Sequence, residues 1–239
     1  MVSCNICLKK SNYNVYNDSQ PLDDIKKKKI SLSICKNCGF LFQNPKPTKK
    51  FLKKYYSKNI NASGNVFFSK DQLKKTKYYQ RFKFLDTSIE LKNIKEVLEI
   101  GSSDSSFLNI FLNKKISLTG VDPSAKKHKN KRIKIIQNFF ENKKFKKKKF
   151  DLICFFSVLE HVYNPKKFLD KVNSLQNKND LIYLEIPNSS KPLKTIAEFY
   201  NFEHISHFNV SSIKQLLKSA GYEIKYKKIH STFIRLIAM

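Results

Sequence analysis

Five short apolar runs, separated by polar and turn residues, constrain the fold of this chain more than any other feature. They lie at 97–100, 117–121, 133–136, 150–156 and 181–186 in a sequence of 239 residues. Brief apolar runs of this kind are typical of strands buried in a parallel sheet. Helices are predicted between and after them at 105–113, 165–175 and 210–220, with Ser211 as a cap and Gly221 as the end of the last one.

Two further strands, joined by a short turn, are predicted at 222–229 and 232–238. Strands that alternate with helices and then end in a hairpin indicate the α/β class: a Rossmann-like, seven-stranded, doubly wound sheet with an antiparallel edge. Composition changes near residues 47 and 92. We therefore predict three parts: a cysteine-bearing module at 1–47, a helical connector at 48–92 that covers a substrate, and the α/β domain at 93–239.

The formal charge of +28 raises the possibility of a nucleic-acid partner. However, 44 of its 47 cationic side chains are lysines scattered along the chain, and arginine, the residue favoured for bidentate phosphate and guanine contacts, occurs only three times. A nucleic-acid partner is therefore not expected, and an anionic substrate stays open. No apolar run is long enough to span a bilayer and no signal peptide is recognisable, so a cytoplasmic protein is predicted.

Four of the five cysteines form two Cys-x2-Cys pairs, and this spacing is typical of a zinc site. The pairs are 27 residues apart, and a polar, lysine-rich loop at 12–29 is expected to fill the gap. Disulfide or redox pairs are the alternative, which a cytoplasmic location disfavours. The predicted ligands of a structural Zn²⁺ ion are Cys4, Cys7, Cys35 and Cys38.

The turn after the first apolar run carries the sequence Ile-Gly-Ser-Ser-Asp-Ser-Ser-Phe-Leu from residue 100. In open α/β sheets this is the crevice that holds a ligand, and Gly101 permits close approach of the backbone. About 20 residues later, Asp122 ends the second run, where a carboxylate suits ribose hydroxyls. Together these motifs resemble class I S-adenosylmethionine-dependent methyltransferases, whereas NAD enzymes usually carry three glycines in this loop.

A narrower resemblance is to zinc-binding sugar C-methyltransferases, which act on nucleotide-linked deoxysugars. It rests on the loop, on the four cysteines, on the run Cys-Gly-Phe-Leu-Phe-Gln-Asn-Pro from residue 38, and on Leu-Glu-His-Val from residue 159. Ser105 stands where the family has a glycine. The sequence given ends after the predicted seventh strand, where the family carries a further C-terminal domain, so a short relative of that family is expected. The cofactor-binding positions that the resemblance implies are Glu99, Gly101, Ser103, Asp104, Asp122, Pro123, Phe140 and Ser157.

The resemblance also implies a catalytic base at Glu203 and His204, which match a Glu-His pair of that family. The preceding tyrosine and histidine of the family become Asn201 and Phe202 here. A histidine that titrates near neutrality suits proton removal during methyl transfer, and a neighbouring carboxylate can orient it. Ordinary packing is the alternative for His204 and for His207. His161 is expected to support the site without contacting the acceptor, and a position facing the acceptor is its alternative.

Three functions remain open on the sequence alone. The first is methylation of a nucleotide-linked sugar or related glycan precursor, at carbon or oxygen, with S-adenosylmethionine and a histidine base. The second is a nucleic-acid methyltransferase that docks through the zinc module and its basic surface, although no Asn/Asp-Pro-Pro-Tyr-type motif follows the fourth apolar run. The third is a non-catalytic zinc-containing binding module. The sequence predicts no oligomeric state.

Overall fold

The computed structural model describes residues 2–21, 27–58, 72, 74–125, 130–146, 148–190 and 202–239. Short 3-10 turns occupy Leu91–Asn93, Phe140–Asn142 and Leu159–His161. The strands and helices are, in chain order, β1 (Asn12–Pro21), β2 (Lys27–Cys35), β3 (Leu41–Gln43), α1 (Lys49–Lys58), α2 (Lys77–Ser88), β4 (Glu96–Ile100), α3 (Ser106–Asn109), β5 (Ser117–Val121), β6 (Ile133–Ile136), β7 (Leu152–Phe156), α4 (Pro165–Ser174), β8 (Leu181–Pro187), β9 (Ser206–His207), α5 (Val210–Ser219), β10 (Ile224–Ile229) and β11 (Phe233–Ala238).

Seven strands form one sheet in the order β10-β11-β8-β7-β4-β5-β6. β4 pairs in parallel with both β5 and β7, and β5 pairs in parallel with β6. β10 and β11 are neighbours joined by a tight turn, in which the His230 N–H donates to the Phe233 carbonyl, and so short a connection requires antiparallel strands. The predicted Rossmann-like sheet with a closing hairpin is confirmed.

The chain divides into two compact units. The first unit comprises Met1–Lys54, Ser157–Asp170 and Glu185–Leu236, and the second comprises Tyr55–Phe156, Lys171–Leu184 and Ile237–Met239. The three-part division at residues 47 and 92 stays a prediction. Within the predicted connector, α1 and α2 lie where helices are expected, while 59–71 and Leu73 are outside the described residues.

The core of the second unit is built around Phe107, which is fully buried. Its ring meets those of Phe111, Phe156 and Tyr183 edge-on at centroid distances of 5.3, 4.8 and 6.2 Å. Edge-to-face pairs of this kind add about 0.5–1.5 kcal/mol each beyond the area that they bury. The Tyr183 hydroxyl, also buried, donates to the Arg81 carbonyl at 2.9 Å, so the one polar atom of this aromatic group is satisfied.

A second sheet, in the order β1-β2-β3-β9, belongs to the first unit. β1 and β2 pair antiparallel from Asn12 opposite Cys35 to Pro21 opposite Lys27. This hairpin corrects the predicted polar loop at 12–29. The lysines and asparagines obscured a strand pattern: Ile30 and Leu32 point into the core at 2% and 0% exposure, and the backbone ladder holds the more exposed β1 against them.

Two helices differ in detail from the prediction. α3 ends at Asn109 rather than 113, because the next residues tighten into i→i+3 hydrogen bonds such as Phe111 N–H to the Leu108 carbonyl. α5 is capped by Asn209, not Ser211, through a reciprocal capping box with Ser212. Of the helices in the described part of the chain, none has the length and apolar character needed to cross a bilayer.

Candidate active site

The turn between β4 and α3, called the cofactor loop here (101–105), has three residues in the left-handed region. Gly101, Ser103 and Ser105 have φ angles of +73°, +45° and +60°. Glycine adopts this conformation freely, whereas a residue with a Cβ does so at a cost of about 1–3 kcal/mol. A glycine at position 105 would therefore adopt this backbone conformation without the cost that Ser105 bears. Ser105 is also buried, at 1% exposure, so its hydroxyl does not reach solvent.

Asp122, at the end of β5, ties the cofactor loop to the next strand. One carboxylate oxygen accepts the Ser103 N–H at 3.0 Å. The other accepts both the Ser124 N–H and the Ser124 hydroxyl, at 2.7 and 2.6 Å. Each oxygen has two acceptor sites, so the oxygen bonded to Ser103 retains one for a ligand hydroxyl. Gly101 is fixed to the same strand, because its N–H donates to the Val121 carbonyl at 2.8 Å.

Buried polar atoms without hydrogen-bond partners lie close to this loop. In the described part of the second unit they include Glu99 Oε2 and Ser102 Oγ. A Cβ added to Gly120 would stand 2.6 Å from that Ser102 hydroxyl, so only glycine fits there. Burial raises the pKa of Glu99 well above its usual value, Arg81 opposes the rise, and Asp104 and Asp122 add to it. Orphaned buried polar atoms are rare in folded proteins, so their presence here fits a polar ligand that completes the bonding.

The other predicted cofactor positions have separate environments. Asp104 accepts the Ser106 N–H at 3.0 Å, and Pro123 directly follows Asp122. Phe140 is buried and packs on Phe145 at 5.9 Å between ring centroids. Ser157 belongs to the first unit, where it is exposed after β7 with a φ of +52°. The cofactor roles of these residues stay predictions.

A histidine cluster, defined as Glu160, His161 and His204, lies within the first unit. The two imidazole rings meet edge-on with centroids 4.9 Å apart. His161 Nε2 is 3.9 Å from a carboxylate oxygen of Glu160, which is buried at 2% exposure. One potential ligand atom from each of the three residues lies within 4.8 Å of the others, close enough to hold a cation.

The orientation of His161 is fixed by the residue next to His204. His161 Nδ1 lies 3.0 Å from the Glu203 backbone carbonyl. A carbonyl oxygen can only accept, so Nδ1 carries the hydrogen of this bond. The predicted pair Glu203 and His204 is thus brought to His161, but it is the Glu203 backbone that makes this bond. The acidic residue near His161 is Glu160, which the sequence interpretation missed although it precedes His161 in the Leu-Glu-His-Val run.

The pKa of His207 is too low for this residue to act as a general base near neutral pH. Burial lowers its pKa to about 3, which a backbone hydrogen bond at His204 opposes and the charge of His161 reinforces. The side chain is 4% exposed and its ring centroid is 6.1 Å from that of His204. A general base is most effective with a pKa near the working pH, so His207 is a poor candidate for that role.

The four cysteines of the first unit converge as predicted. Cys4 Sγ is 3.6 Å from Cys38 Sγ, and Cys7 Sγ is 3.5 Å from Cys35 Sγ. All four sulfurs lie within 4.8 Å of one another. Tetrahedral zinc with Zn–S bonds of about 2.3 Å requires sulfurs roughly 3.8 Å apart, so the set fits that ion. Gly39, with a φ of +68°, forms the tight turn after the second pair.

The thiols differ in acidity before any metal binds. Burial raises the pKa of Cys4 and of Cys38. Burial also acts to raise the pKa of Cys7, but hydrogen bonds from the Lys9 backbone and the Cys35 and Cys38 thiols lower it to about 7. Because thiolates are the metal-binding form, loading this site releases protons, and Cys7 needs the least assistance to lose its proton.

Comparisons with known proteins agree with this architecture. The model of a family described as a methyltransferase domain matches residues 49–227, about three quarters of the chain. No curated protein sequence matches the chain.

Several solved structures share the fold at low sequence identity. The 1,6-didemethyltoxoflavin-N1-methyltransferase of Burkholderia thailandensis, solved with S-adenosylhomocysteine, has a TM-score of 0.59 at 11% identity over 92% of this chain and 98% of its own. An S-adenosylmethionine-dependent methyltransferase of Clostridium acetobutylicum has a TM-score of 0.54 at 14% identity over 79% and 97%. The N-terminal domain of EvdMO1, solved with SAH bound, has a TM-score of 0.50 at 13% identity over 81% and 96%. Since the family model matches most of the chain and the fold agrees, the chain belongs to the methyltransferase-domain family and is an S-adenosylmethionine-dependent methyltransferase.

Proposed function

We propose that this methyltransferase acts on a nucleotide-linked sugar or related glycan precursor, at carbon or oxygen, with His204 as the general base. The observation that carries the assignment of the base is the histidine cluster. His204 is half-buried against a second imidazole whose Nδ1–H is fixed by a backbone carbonyl, and a buried carboxylate lies beside that imidazole. Such an arrangement stabilises positive charge when His204 takes up a proton.

His204 performs the proton step in this proposal. Its neutral imidazole accepts a proton from a C–H next to a ketone, or from a hydroxyl, of the acceptor. The electron pair left on the acceptor then forms the bond to the methyl group. S-adenosylmethionine, when bound, would supply that methyl group, and its sulfur would keep the electrons of the broken bond. Gly101, Ser103 and Asp122 would hold the cofactor through backbone and carboxylate contacts.

The four cysteines would hold a structural Zn²⁺ ion, since all four positions are filled by protein sulfurs. Their thiols are free rather than paired in disulfides. Zinc-bound thiolates suit a reducing compartment, so we place the reaction in the cytoplasm.

Two lysines in the first unit support a phosphate-bearing substrate. The ammonium groups of Lys46 and Lys49 lie 4.9 and 5.1 Å from the ring centre of Tyr163, two residues after His161. Lys46 also donates to the Tyr163 carbonyl at 2.8 Å. Burial lowers the pKa of Lys46 to about 8, so the ammonium form still dominates at pH 7. Two cations on one aromatic ring favour an anionic ligand such as a diphosphate.

The test compares His204→Ala with His230→Ala, a histidine of the same unit that stacks on Phe233 at the β10–β11 turn. Both variants are assayed with labelled cofactor against a panel of nucleotide-linked sugars and the matching free sugars. We expect His204→Ala to lose methyl transfer to nucleotide-linked sugars while its S-adenosylmethionine affinity, measured by calorimetry, stays within about twofold. His230→Ala should resemble the wild type. Wild-type turnover in His204→Ala would remove it from the mechanism.

Docking of nucleic acid by the zinc module and the basic surface is the competing proposal. Electrostatic binding to phosphates weakens steeply as salt rises. A methyl transferred to duplex or single-stranded nucleic acid, together with salt-sensitive binding and no transfer to any sugar of the panel, would favour that alternative.

A further inference from the structure

We propose that Gln43 is a positioning residue that holds the backbone carrying His204, so that the four-cysteine module sets the place of the base. The inference rests on the proposed role of His204 in catalysis. Gln43 ends β3, the short strand that follows the second cysteine pair. The proposal involves no contact between Gln43 and the cysteines. Gln43 acts on residues 202–207, called the base segment here.

Three hydrogen bonds join Gln43 to the base segment. The two hydrogens of its side-chain amide are directed to the carbonyls of Phe202 and His204, with N–O distances of 3.0 and 3.1 Å. Its backbone N–H donates to the Ile205 carbonyl at 3.1 Å. Gln43 is 2% exposed, so these bonds are shielded from water. Only glutamine or asparagine offers two hydrogens on one uncharged side-chain nitrogen, and the shorter asparagine lacks the reach.

Strand pairing extends the same attachment beyond His204. Phe42 pairs antiparallel with Ser206, and Leu41 pairs with His207. The Phe40 ring packs on Phe208 at 5.4 Å between centroids. Residues 40–43 therefore contact the chain on both sides of His204, and the histidine projects from a backbone that is held before it and after it.

The other end of this attachment is the second cysteine pair. The Cys35 N–H donates to the Phe40 carbonyl at 2.9 Å, and the Gly39 N–H donates to the Cys35 carbonyl at 2.9 Å. Hydrogen bonds together with the covalent chain of residues 40–43 thus connect the Cys35 backbone to the His204 carbonyl. In this way the cysteine module supports the position of the base.

This support from residues 40–43 matters because the base segment contains no helix and only a two-residue strand. A general base must lie within hydrogen-bond reach of the proton that it removes. A displacement of about 1 Å at a catalytic group can cost on the order of 100-fold in rate. Removing the Gln43 side-chain amide leaves the His204 imidazole chemically unchanged. It removes the hydrogen bonds that hold the Phe202 and His204 carbonyls.

The experiment compares Gln43→Leu with Gln176→Leu. Gln176 is a matched control: it is 8% exposed and donates its side-chain amide to a backbone carbonyl, that of Leu181, at 2.9 Å in the second unit. The assays use a nucleoside-diphosphate-linked keto-deoxysugar as the acceptor. They measure kcat, KM, the dissociation constant of S-adenosylhomocysteine and amide hydrogen exchange of residues 202–207.

We expect Gln43→Leu to lower kcat by about 10- to 100-fold relative to Gln176→Leu, with the dissociation constant of S-adenosylhomocysteine unchanged. The pH midpoint of the rate should be retained, since the imidazole itself is intact, and exchange of residues 202–207 should accelerate. If Gln43→Leu does not fold, Gln43→Glu serves in its place, because an ionised carboxylate of the same size cannot donate to the two carbonyls.

Two results would overturn the proposal: a kcat no lower than that of the control, or unchanged exchange in the base segment. Failure of the proposed base has a different signature. If His204 is not the base, His204→Ala keeps its turnover with the same acceptor. If His204 is the base but Gln43 does not position it, His204→Ala is inactive and Gln43→Leu is active. If the wild type does not methylate this acceptor, the proposed substrate is refuted, and hydrogen exchange of residues 202–207 still decides whether Gln43 holds the base segment.

Discussion

Two buried glutamates on central strands, one in each unit, have opposite surroundings. Glu185 in β8 of the first unit accepts the Arg235 Nε–H at 2.7 Å and a second hydrogen bond from the same guanidinium. Glu99 in β4 of the second unit is just as buried, yet its Oε2 has no hydrogen-bond partner among the described residues. The first carboxylate is part of the structure's own bonding, and the second is available to a ligand. Burial alone therefore does not separate a structural acid from a functional one.

The largest expected effect follows from removing the charge of the paired glutamate. Glu185→Gln leaves Arg235 as an uncompensated buried cation, which costs about 3–5 kcal/mol of the free energy of unfolding. Glu99→Gln is the matched change in the other unit. Burial raises the pKa of Glu99 and favours the neutral form, so the uncharged glutamine should alter stability by less than about 1 kcal/mol. Urea unfolding measures both, and equal losses would refute the distinction.

The next effect concerns the cofactor loop. Asp122→Ala removes the acceptors of Ser103 and Ser124, and we expect S-adenosylmethionine affinity to fall by roughly 10- to 100-fold, or about 1.5–3 kcal/mol. Asp151→Ala is the control, because Asp151 also accepts two backbone N–H groups, those of Lys95 and Glu96, at 2.7 and 2.8 Å. Calorimetry should find its cofactor affinity unchanged. An unaltered dissociation constant in Asp122→Ala would contradict the assignment of the ribose position.

Acid should destabilise the first unit through His207. Its pKa of about 3 in the folded protein lies below the ordinary value of 6.5, so between these values the unfolded chain binds a proton that the folded chain does not. Stability therefore falls as pH falls from 6.5 towards 3, by up to about 1.4 kcal/mol per pH unit and about 2 kcal/mol at pH 5. His207→Leu should remove this part of the slope. His161 and His204, which lie near His207, are the same in both proteins, so the difference between the two slopes isolates His207.

The smallest expected effect is a gain. Ser105→Gly relieves a left-handed residue at φ +60° and should stabilise the protein by about 1 kcal/mol. Ser106→Gly, one residue later at the start of α3, should instead destabilise by about 0.5–1 kcal/mol, because it adds chain entropy where the backbone is already helical. Thermal unfolding of the two variants should thus move in opposite directions. A lower midpoint for Ser105→Gly would mean that its hydroxyl compensates for the backbone strain.

Local patterns predicted the parts of this molecule that local forces determine. The apolar runs predicted β4 to β8 because buried parallel strands need little more than continuous apolar side chains and turns. The cysteine spacing predicted the convergence of four sulfurs, since each pair already places two thiols on one turn.

What the sequence did not predict depends on contacts between distant segments. β9 is two residues long and exists through its pairing with β3, and no periodicity can show in so short a segment. Gln43 appeared only as part of a family motif, because its role depends on carbonyls of residues 202 to 205. Glu160 also appears in the sequence only within a family motif, because nothing local shows that His161 and His204 lie beside it. Only the tertiary structure brings these side chains to one place.

The bond between Gln43 and His204 joins residues 161 positions apart in the chain, and this has a consequence during synthesis. Chains grow at about 5–20 residues per second, so the N-terminal sheet waits roughly ten to thirty seconds for its last strand to emerge from the ribosome. During that time β3 has an unpaired edge, which is a site for wrong pairing. Early binding of a metal ion by the cysteines would hold the nascent segment in a compact form. It would thereby protect the growing chain from wrong pairing before the cofactor loop and His204 are synthesised.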